Sequence, residues 1–172
     1  IMATAGTMGY SKPVAKHLIP DFGEIKPTFM VSVPRIWEAL YQGIVNKIKA
    51  ESKVKYGLFK FFVWIGTNFI TSKKAFLGLK AYFKKPFFLF EFFRRFWALI
   101  VIILTFLLYL LGDLLVFKKI REKTGGHLRG PISGGGALPS YLDIFYSVIG
   151  IEILEGWGLT ETAPVIGTRL FE

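Results

Sequence analysis

The sequence has no cysteine, which excludes both disulfide bonds and thiolate metal sites. Histidine is nearly absent as well, and His17 and His127 stand too far apart in sequence to form a local ligand cluster. Acidic residues are scarce, 12 against 22 Lys and Arg, so the formal net charge is +10. Apolar packing must therefore hold the chain together, and 172 residues are enough for the core of one domain.

The positive charge is concentrated in the middle of the chain. Residues 53–123 contain 14 Lys or Arg and only three acids, Glu91, Asp113 and Glu122. Basic residues interleaved with aromatics occur in nucleic-acid-binding proteins. When long aliphatic runs accompany them, they are more typical of proteins that bind a membrane surface. We therefore expect residues 56–117 to bind a membrane surface and expect no nucleic-acid partner; the oligomeric state is not predicted.

One long apolar run, residues 96–111, has Thr105 as its only polar member. Counted through Phe117 it reaches 22 positions with Asp113 inside, near the roughly 20 residues that cross a bilayer. Basic residues flank both ends, so the positive-inside rule selects no orientation. Three interpretations stay open: a spanning helix, an interfacial or re-entrant helix, and a helix buried in a large enzyme. The sequence on both sides is typical of a soluble fold, which favours the second.

Two segments on either side of this run are typical of α/β structure. Residues 28–33 read as a buried strand, which Pro34 ends, and a helix with one apolar face follows from Arg35. After Gly125 the pattern is strand (128–133), glycine-rich loop (134–137), helix from Pro139 to a capping Gly150, strand (151–155) and loop. This is a parallel crossover unit, whose two loops leave the carboxyl ends of neighbouring strands.

The last of these loops, residues 155–164, combines glycines, an aromatic ring, hydroxyls and carboxylates. Glycine lets a backbone approach a ligand closely, and Trp157 can stack on a flat ring. Thr160 can donate to a phosphate oxygen, and Glu161 offers a hard oxygen ligand for Mg2+. By composition alone an ordinary helix-capping loop explains these residues equally well. Their place opposite the loop 134–137 favours a ligand site.

These motifs together resemble the adenylate-forming (AMP-binding) superfamily, and within it the long-chain acyl-CoA synthetases. The residues that carry the resemblance are ISGGGALP at 132–139, ILEGWGLTETAP at 153–164, VPRIWE at 33–38 and VFKKIR at 116–121. The resemblance implies an α/β fold that is part of the large N-terminal AMP-binding domain. Residues 1–52 would supply the strand–proline–helix part and residues 124–172 the parallel β-α-β part with the nucleotide site, with a basic, hydrophobic, mostly helical membrane-docking insertion at 53–123.

The implied activity is that of an ATP-dependent long-chain fatty acid–CoA ligase, of the EC 6.2.1 type. ATP and Mg2+ would convert the fatty acid into an acyl-adenylate, and CoA would then displace AMP. By resemblance, Thr160 contacts the AMP phosphate and Glu161 holds Mg2+ as the catalytic pair. The adenine would be bordered by Gly135, Gly136, Ala137, Trp157 and Gly158. Many relatives have Tyr where this chain has Trp157, and Ala-Pro where it has Gly136-Ala137.

The resemblance also makes Trp37 a candidate gate of an acyl tunnel, although a core tryptophan on a helix face is an equally good interpretation. The family's phosphate loop, ribose-binding aspartate, hinge and C-terminal lysine are absent from these 172 residues. We therefore expect an internal piece that is inactive alone, on the cytoplasmic side of a membrane. Two alternatives stay open: a short-chain, aryl-acid or peptide-synthetase adenylating enzyme, and a non-enzymatic membrane anchor or transporter fragment.

Overall fold

The computed structural model describes residues 6, 7, 9, 15–77, 88–158 and 167–168. Helices make up most of this part, and four short strands form one sheet, so the predicted α/β class is confirmed at that level. In chain order the elements are α1 (Ala15–Ile25), β1 (Phe29–Ser32), α2 (Pro34–Glu51), α3 (Lys53–Phe76), α4 (Phe88–Gly112), a π-helical turn (Asp113–Phe117), α5 (Lys118–Lys123), β2 (Gly130–Ser133), α6 (Ser140–Val148), β3 (Leu154–Trp157) and β4 (Gly167–Thr168).

The sheet has the order β1-β2-β3-β4, and its first three strands are parallel. Ser32 on β1 pairs with Ser133 on β2, and Ser133 pairs with Glu155 on β3. All three strands therefore end at one edge of the sheet, as the predicted crossover unit requires. The antiparallel strand β4, which pairs with β3, was not predicted.

The predicted strand–proline–helix unit is confirmed, with Pro34 in the first turn of α2. Its proline has no N–H, which is no loss at a helix start where that donor would be unpaired. The prediction that the strand of this unit is buried is wrong: Phe29 and Val31 are 67% and 77% exposed, because β1 is an edge strand of the described sheet.

The predicted strand 151–155 is shifted in the structure, because β3 begins at Leu154. Ile151 does not pair with a strand of the described sheet; its N–H donates to the Tyr146 carbonyl at 2.9 Å. This hydrogen bond closes the end of α6 around Gly150, whose φ is +78°.

One hydrophobic core joins the helices to the sheet. Helix α6 lies at its centre, with Leu142, Phe145 and Val148 buried. The other buried members of the same core come from α1, α2, α3, the π-helical turn, α5 and the segment before β3, and include Phe22, Trp37, Leu40, Phe59, Phe62, Phe117, Ile120, Ile151 and Ile153. Because side chains from 53–123 belong to this core, that segment is packed onto the rest of the chain.

Helices α3 and α4 form a helical hairpin, whose connection (78–87) lies outside the described residues. Phe69 of α3 stacks on Tyr109 of α4 with ring centroids 4.6 Å apart, and Phe62 packs against Gly112. A Cβ on Gly112 would lie 2.7 Å from the Phe62 ring, so the absence of a side chain allows this contact. The stretch Glu91–Glu122 is long and apolar enough, by length and composition, to cross a membrane.

The other side of the hairpin is packed against the core. Gly66 of α3 lies against α6, where an added Cβ would be 2.4 Å from Val148 Cγ1. The rings of Phe59 and Phe145 are 6.2 Å apart in an edge arrangement. Farther along α3, Lys73 and Lys74 border the same pocket as Gly150 and other residues near the end of α6. Helix α3 is thus sandwiched between α6 and α4, and α4 is the outermost layer.

Asp113, the charge near the end of the apolar run, is paired with Arg121. Both guanidinium Nη atoms donate to its carboxylate, at 2.6 and 2.9 Å, and Nη1 also donates to the Ile149 carbonyl at 2.8 Å. The hydrogen bond to Asp113 raises the pKa of Arg121. Nearby, the Tyr109 hydroxyl donates to the Val148 carbonyl at 3.1 Å. The side chains of Tyr109 and Arg121 therefore cap the carbonyls at the end of α6.

Candidate nucleotide site

Three segments leave the edge where β1, β2 and β3 end. They are Val33, which leads directly into α2, the glycine loop (residues 134–137), and Gly158 after β3. The Gly134 N–H donates to the Ser32 carbonyl at 3.0 Å, which ties the start of the glycine loop to β1. The carboxyl edge of parallel strands is the usual place for ligands in open α/β sheets.

Gly135 and Gly136 of the glycine loop differ in whether the described structure requires a glycine. Gly135 has φ +74°, a left-handed conformation that costs other residues strain. At Gly136 an added Cβ would make only ordinary contacts with Pro34, at 3.8 and 4.0 Å. Packing against the described residues therefore does not require glycine at position 136, whereas close approach of a ligand would.

Trp157 ends β3 with its indole 67% exposed. The ring is therefore accessible for stacking with a flat ligand ring. Its strand neighbour Gly156 lies close to the start of the glycine loop, because a Cβ on Gly134 would be 3.7 Å from the Gly156 carbonyl oxygen. The structure thus brings the predicted residues Gly135, Gly136, Ala137, Trp157 and Gly158 to the same edge of the sheet.

The predicted catalytic residues Thr160 and Glu161 lie outside the described residues, so their roles remain predictions. In the described ranges, no three His, Asp or Glu side chains gather in a group that could hold a metal ion. Mg2+ binding by Glu161 therefore remains a prediction, which rests on the hard-donor chemistry of a carboxylate oxygen.

Trp37, the candidate gate, is a buried core residue in this structure, with 1% of its surface exposed. Its ring meets Tyr146 edge-on with centroids 5.5 Å apart, and its carbonyl accepts the Tyr146 hydroxyl at 2.8 Å. Burial strongly raises the pKa of Tyr146. The Trp37 indole N–H has no hydrogen-bond partner among the described residues. In this structure Trp37 is therefore a core tryptophan, and its role as the gate of an acyl tunnel remains a prediction.

The position of Glu155, ahead of the turn of the last loop, indicates a structural role but no particular partner. In the structure, its Oε1 accepts a hydrogen bond from the Leu138 N–H at 3.0 Å, which links β3 to the end of the glycine loop. Ser133, at the end of β2, is 1% exposed, and its hydroxyl has no partner among the described residues. The sequence signal for Glu155 is a carboxylate at the end of the predicted strand 151–155, directly before Gly156.

Comparison with known proteins identifies the family of this arrangement. A model of the AMP-binding enzyme family matches residues 1–171. The chain belongs to that family. The family match covers both flanks and the hydrophobic middle, so the resemblance read from the motifs is confirmed. No solved structure matches the chain at a significant level.

The curated relatives of this family member include long-chain fatty-acid ligases. A chloroplastic long-chain fatty-acid–acyl-carrier-protein ligase of Arabidopsis thaliana is 34% identical over 90% of the chain. The peroxisomal long chain acyl-CoA synthetase 7 of the same plant is 31% identical over 92%, and long-chain-fatty-acid–CoA ligase 1 of Schizosaccharomyces pombe is 30% identical over 93%. The chain spans about a fifth of these relatives' length, namely 21%, 18% and 20%.

Proposed function

We propose that the chain supplies the adenine side of the nucleotide site in an ATP-dependent long-chain fatty acid ligase. The observation that carries this proposal is the meeting of the glycine loop and the exposed Trp157 at one edge of a parallel sheet, in an AMP-binding family member. Backbone atoms of Gly135, Gly136 and Ala137 would border the adenine on one side. Trp157 and Gly158 would border the other.

Thr160 and Glu161 are proposed to act next to this adenine site. The Thr160 hydroxyl would donate to the α-phosphate, whose negative charge repels the attacking carboxylate of the fatty acid. Glu161 would hold Mg2+, which supplies positive charge beside the phosphates when it is bound. A carboxylate next to a phosphate is tolerated only with such a cation between them. This explains why Thr160 and Glu161 are adjacent.

The proposed acceptor of the acyl group is the thiol of CoA. The acyl-carrier-protein ligase among the relatives supports a second candidate, the thiol of a carrier protein. The relatives are named as chloroplastic and peroxisomal, among others, so the cytoplasmic location also stays a proposal.

ATP–pyrophosphate exchange by the full-length enzyme tests the first step. We expect exchange with palmitate and none with acetate or benzoate, and then thioester formation with CoA or with a carrier protein. The 172-residue chain alone should give no exchange, because the phosphate loop is missing from it. Exchange that prefers acetate or an aryl acid would contradict the long-chain assignment.

We also propose that the hairpin docks the enzyme on a lipid surface. The outer side of α4 exposes large apolar residues over several turns, including Phe92, Phe93, Phe96, Trp97, Ile103, Leu104 and Leu107, each more than half exposed. Only 6% of the most apolar part of Glu91–Glu122 is buried. Basic residues lie at both ends: Arg95, with a side chain 54% exposed, and the exposed Lys118 and Lys119. This apolar side with a basic rim fits a membrane with anionic headgroups.

The layering of the helices supports docking parallel to the bilayer plane. Helix α3 lies between α4 and the core, and it carries Lys60, Lys73 and Lys74. If α4 crossed the bilayer, α3 and the end of α6 would have to enter the hydrocarbon with it. Each lysine placed there costs about 2.5–3.5 kcal/mol or more. With α4 lying flat, its outer side enters the interface and all three lysines stay in water.

A further inference from the structure

A carboxylate joins the two loops of the candidate nucleotide site. Oε1 of Glu155 accepts the Leu138 N–H at 3.0 Å. Leu138 directly follows the glycine loop, and Glu155 lies on β3 two residues before Trp157. This single bond therefore connects the backbone at the end of the glycine loop to the strand that carries the exposed indole.

Hydrogen bonds hold both ends of the glycine loop, whereas its middle makes none with the part of the chain that the structure describes. At the start, Gly134 donates to the Ser32 carbonyl on β1. At the end, the Leu138 side chain is buried, with 7% exposed, and its N–H is held by Glu155. Between them stand Gly135 and Gly136, which have the greatest backbone freedom of any residues. Without the Glu155 contact, the loop would keep its attachment to β1 and lose its hydrogen-bonded attachment to β3.

We propose that Glu155 is a positioning residue that sets the width of the gap between the glycine loop and Trp157. This inference rests on the proposed function, in which the adenine occupies that gap. Glu155 acts through the Leu138 N–H and does not contact the nucleotide. A flat ring needs both walls at van der Waals distance, so a loop free to move away from β3 binds ATP less well. Fatty acid binding does not depend on this gap.

The test uses three substitutions in the full-length enzyme. Glu155→Gln keeps an oxygen acceptor at the same reach, so KM for ATP should stay within about twofold of the wild-type value. Glu155→Asp keeps the charge but is one methylene shorter, and Glu155→Ala removes the acceptor. For both we expect KM for ATP to rise about tenfold, which corresponds to about 1.4 kcal/mol. KM for palmitate should stay within about twofold in all three.

Glu122→Ala is the matched control, since Glu122 is an exposed carboxylate on α5, ahead of the opposite end of β2. It should leave both KM values unchanged. Melting temperatures show which variants are folded, and the comparison of Gln with Asp remains decisive if the alanine variant does not fold.

If the wild-type enzyme is active and the Glu155→Asp variant has the wild-type KM for ATP, the positioning role is overturned. A Gln variant that binds ATP more weakly than the Asp variant would overturn it too, since charge would then matter and the hydrogen bond would not. Equal changes in both KM values would also overturn it, because a purely structural residue has that effect. A wild-type enzyme with no exchange for any fatty acid would instead refute the proposed function.

Discussion

Replacing the three most exposed aliphatic residues of α4 with glutamine should weaken membrane binding without affecting the fold. Ile103, Leu104 and Leu107 are 66%, 70% and 67% exposed, so their side chains contribute little to the core. Burying such a side chain completely is worth about 1.5–3 kcal/mol, and about two thirds of that remains available to a membrane. The three together should supply about 3–6 kcal/mol of binding free energy. Every 1.4 kcal/mol is tenfold, so the triple variant should bind vesicles at least about 100-fold more weakly.

Co-sedimentation of the full-length enzyme with phosphatidylcholine vesicles containing phosphatidylserine measures this binding. The matched control is Ile103→Leu, Leu104→Ile and Leu107→Met, which keeps the three positions apolar and should bind like the wild type. The melting temperature should be the same for all three proteins. Equal pelleting of the glutamine variant and the wild type would refute membrane docking through α4. A large loss of stability in the glutamine variant would show that another part of the full-length chain covers this side.

Three further predictions concern packing, protonation and stacking. Gly66→Ala should destabilise the full-length enzyme by about 1–3 kcal/mol, because the new methyl group overlaps Val148. Gly57→Ala in the same helix contacts no other atom in the described part of the chain and should stabilise the enzyme by about 0.5–1 kcal/mol. Thermal melts decide between these signs. Burial and, secondarily, Asp113 raise the pKa of Tyr109. The stability this gives is present below pH 10 and lost as the pH rises further, so Tyr109→Phe should flatten the alkaline fall in melting temperature; an unchanged slope would contradict the contact. Trp157→Ala should raise KM for ATP about five- to tenfold while Trp157→Tyr restores it, and equal kinetics for the two would exclude stacking.

Local patterns in the sequence predicted most of the elements that form the site. Pro34 predicted the start of α2, and Gly150, which is left-handed in the structure, predicted the end of α6. Both predictions rest on backbone preferences of the residue itself, which do not depend on tertiary contacts. The start of β3 was predicted three residues too early. Apolar residues from Ile151 onward are equally suited to a strand and to the capped end of a helix, and only the hydrogen bond from Ile151 to Tyr146 distinguishes the two.

The tertiary contacts of the middle segment could not be predicted from its sequence. The apolar run indicated a helix that seeks an apolar environment, but three environments satisfied that pattern equally. The pattern also does not indicate how the segment packs on the core, through Gly66 against Val148 and through Arg121, which donates to the Ile149 carbonyl. These contacts join residues 82 and 28 positions apart, and no local period encodes such a pairing. The same holds for Glu155 and Leu138, which meet only because β2 and β3 are parallel neighbours.

The outward side of α4 also determines how the protein behaves in the test tube. Without lipid, and with no other part of the full-length protein over it, this surface is shielded from water when two molecules associate through it, so preparations should need mild detergent to stay monodisperse. Ammonium sulfate would strengthen that self-association, because excluded salts favour apolar contact. Sodium chloride at moderate concentration would release the enzyme from acidic vesicles, because it screens the lysine and arginine rim. The two salts therefore distinguish self-association, which ammonium sulfate strengthens, from binding to acidic lipid, which sodium chloride weakens.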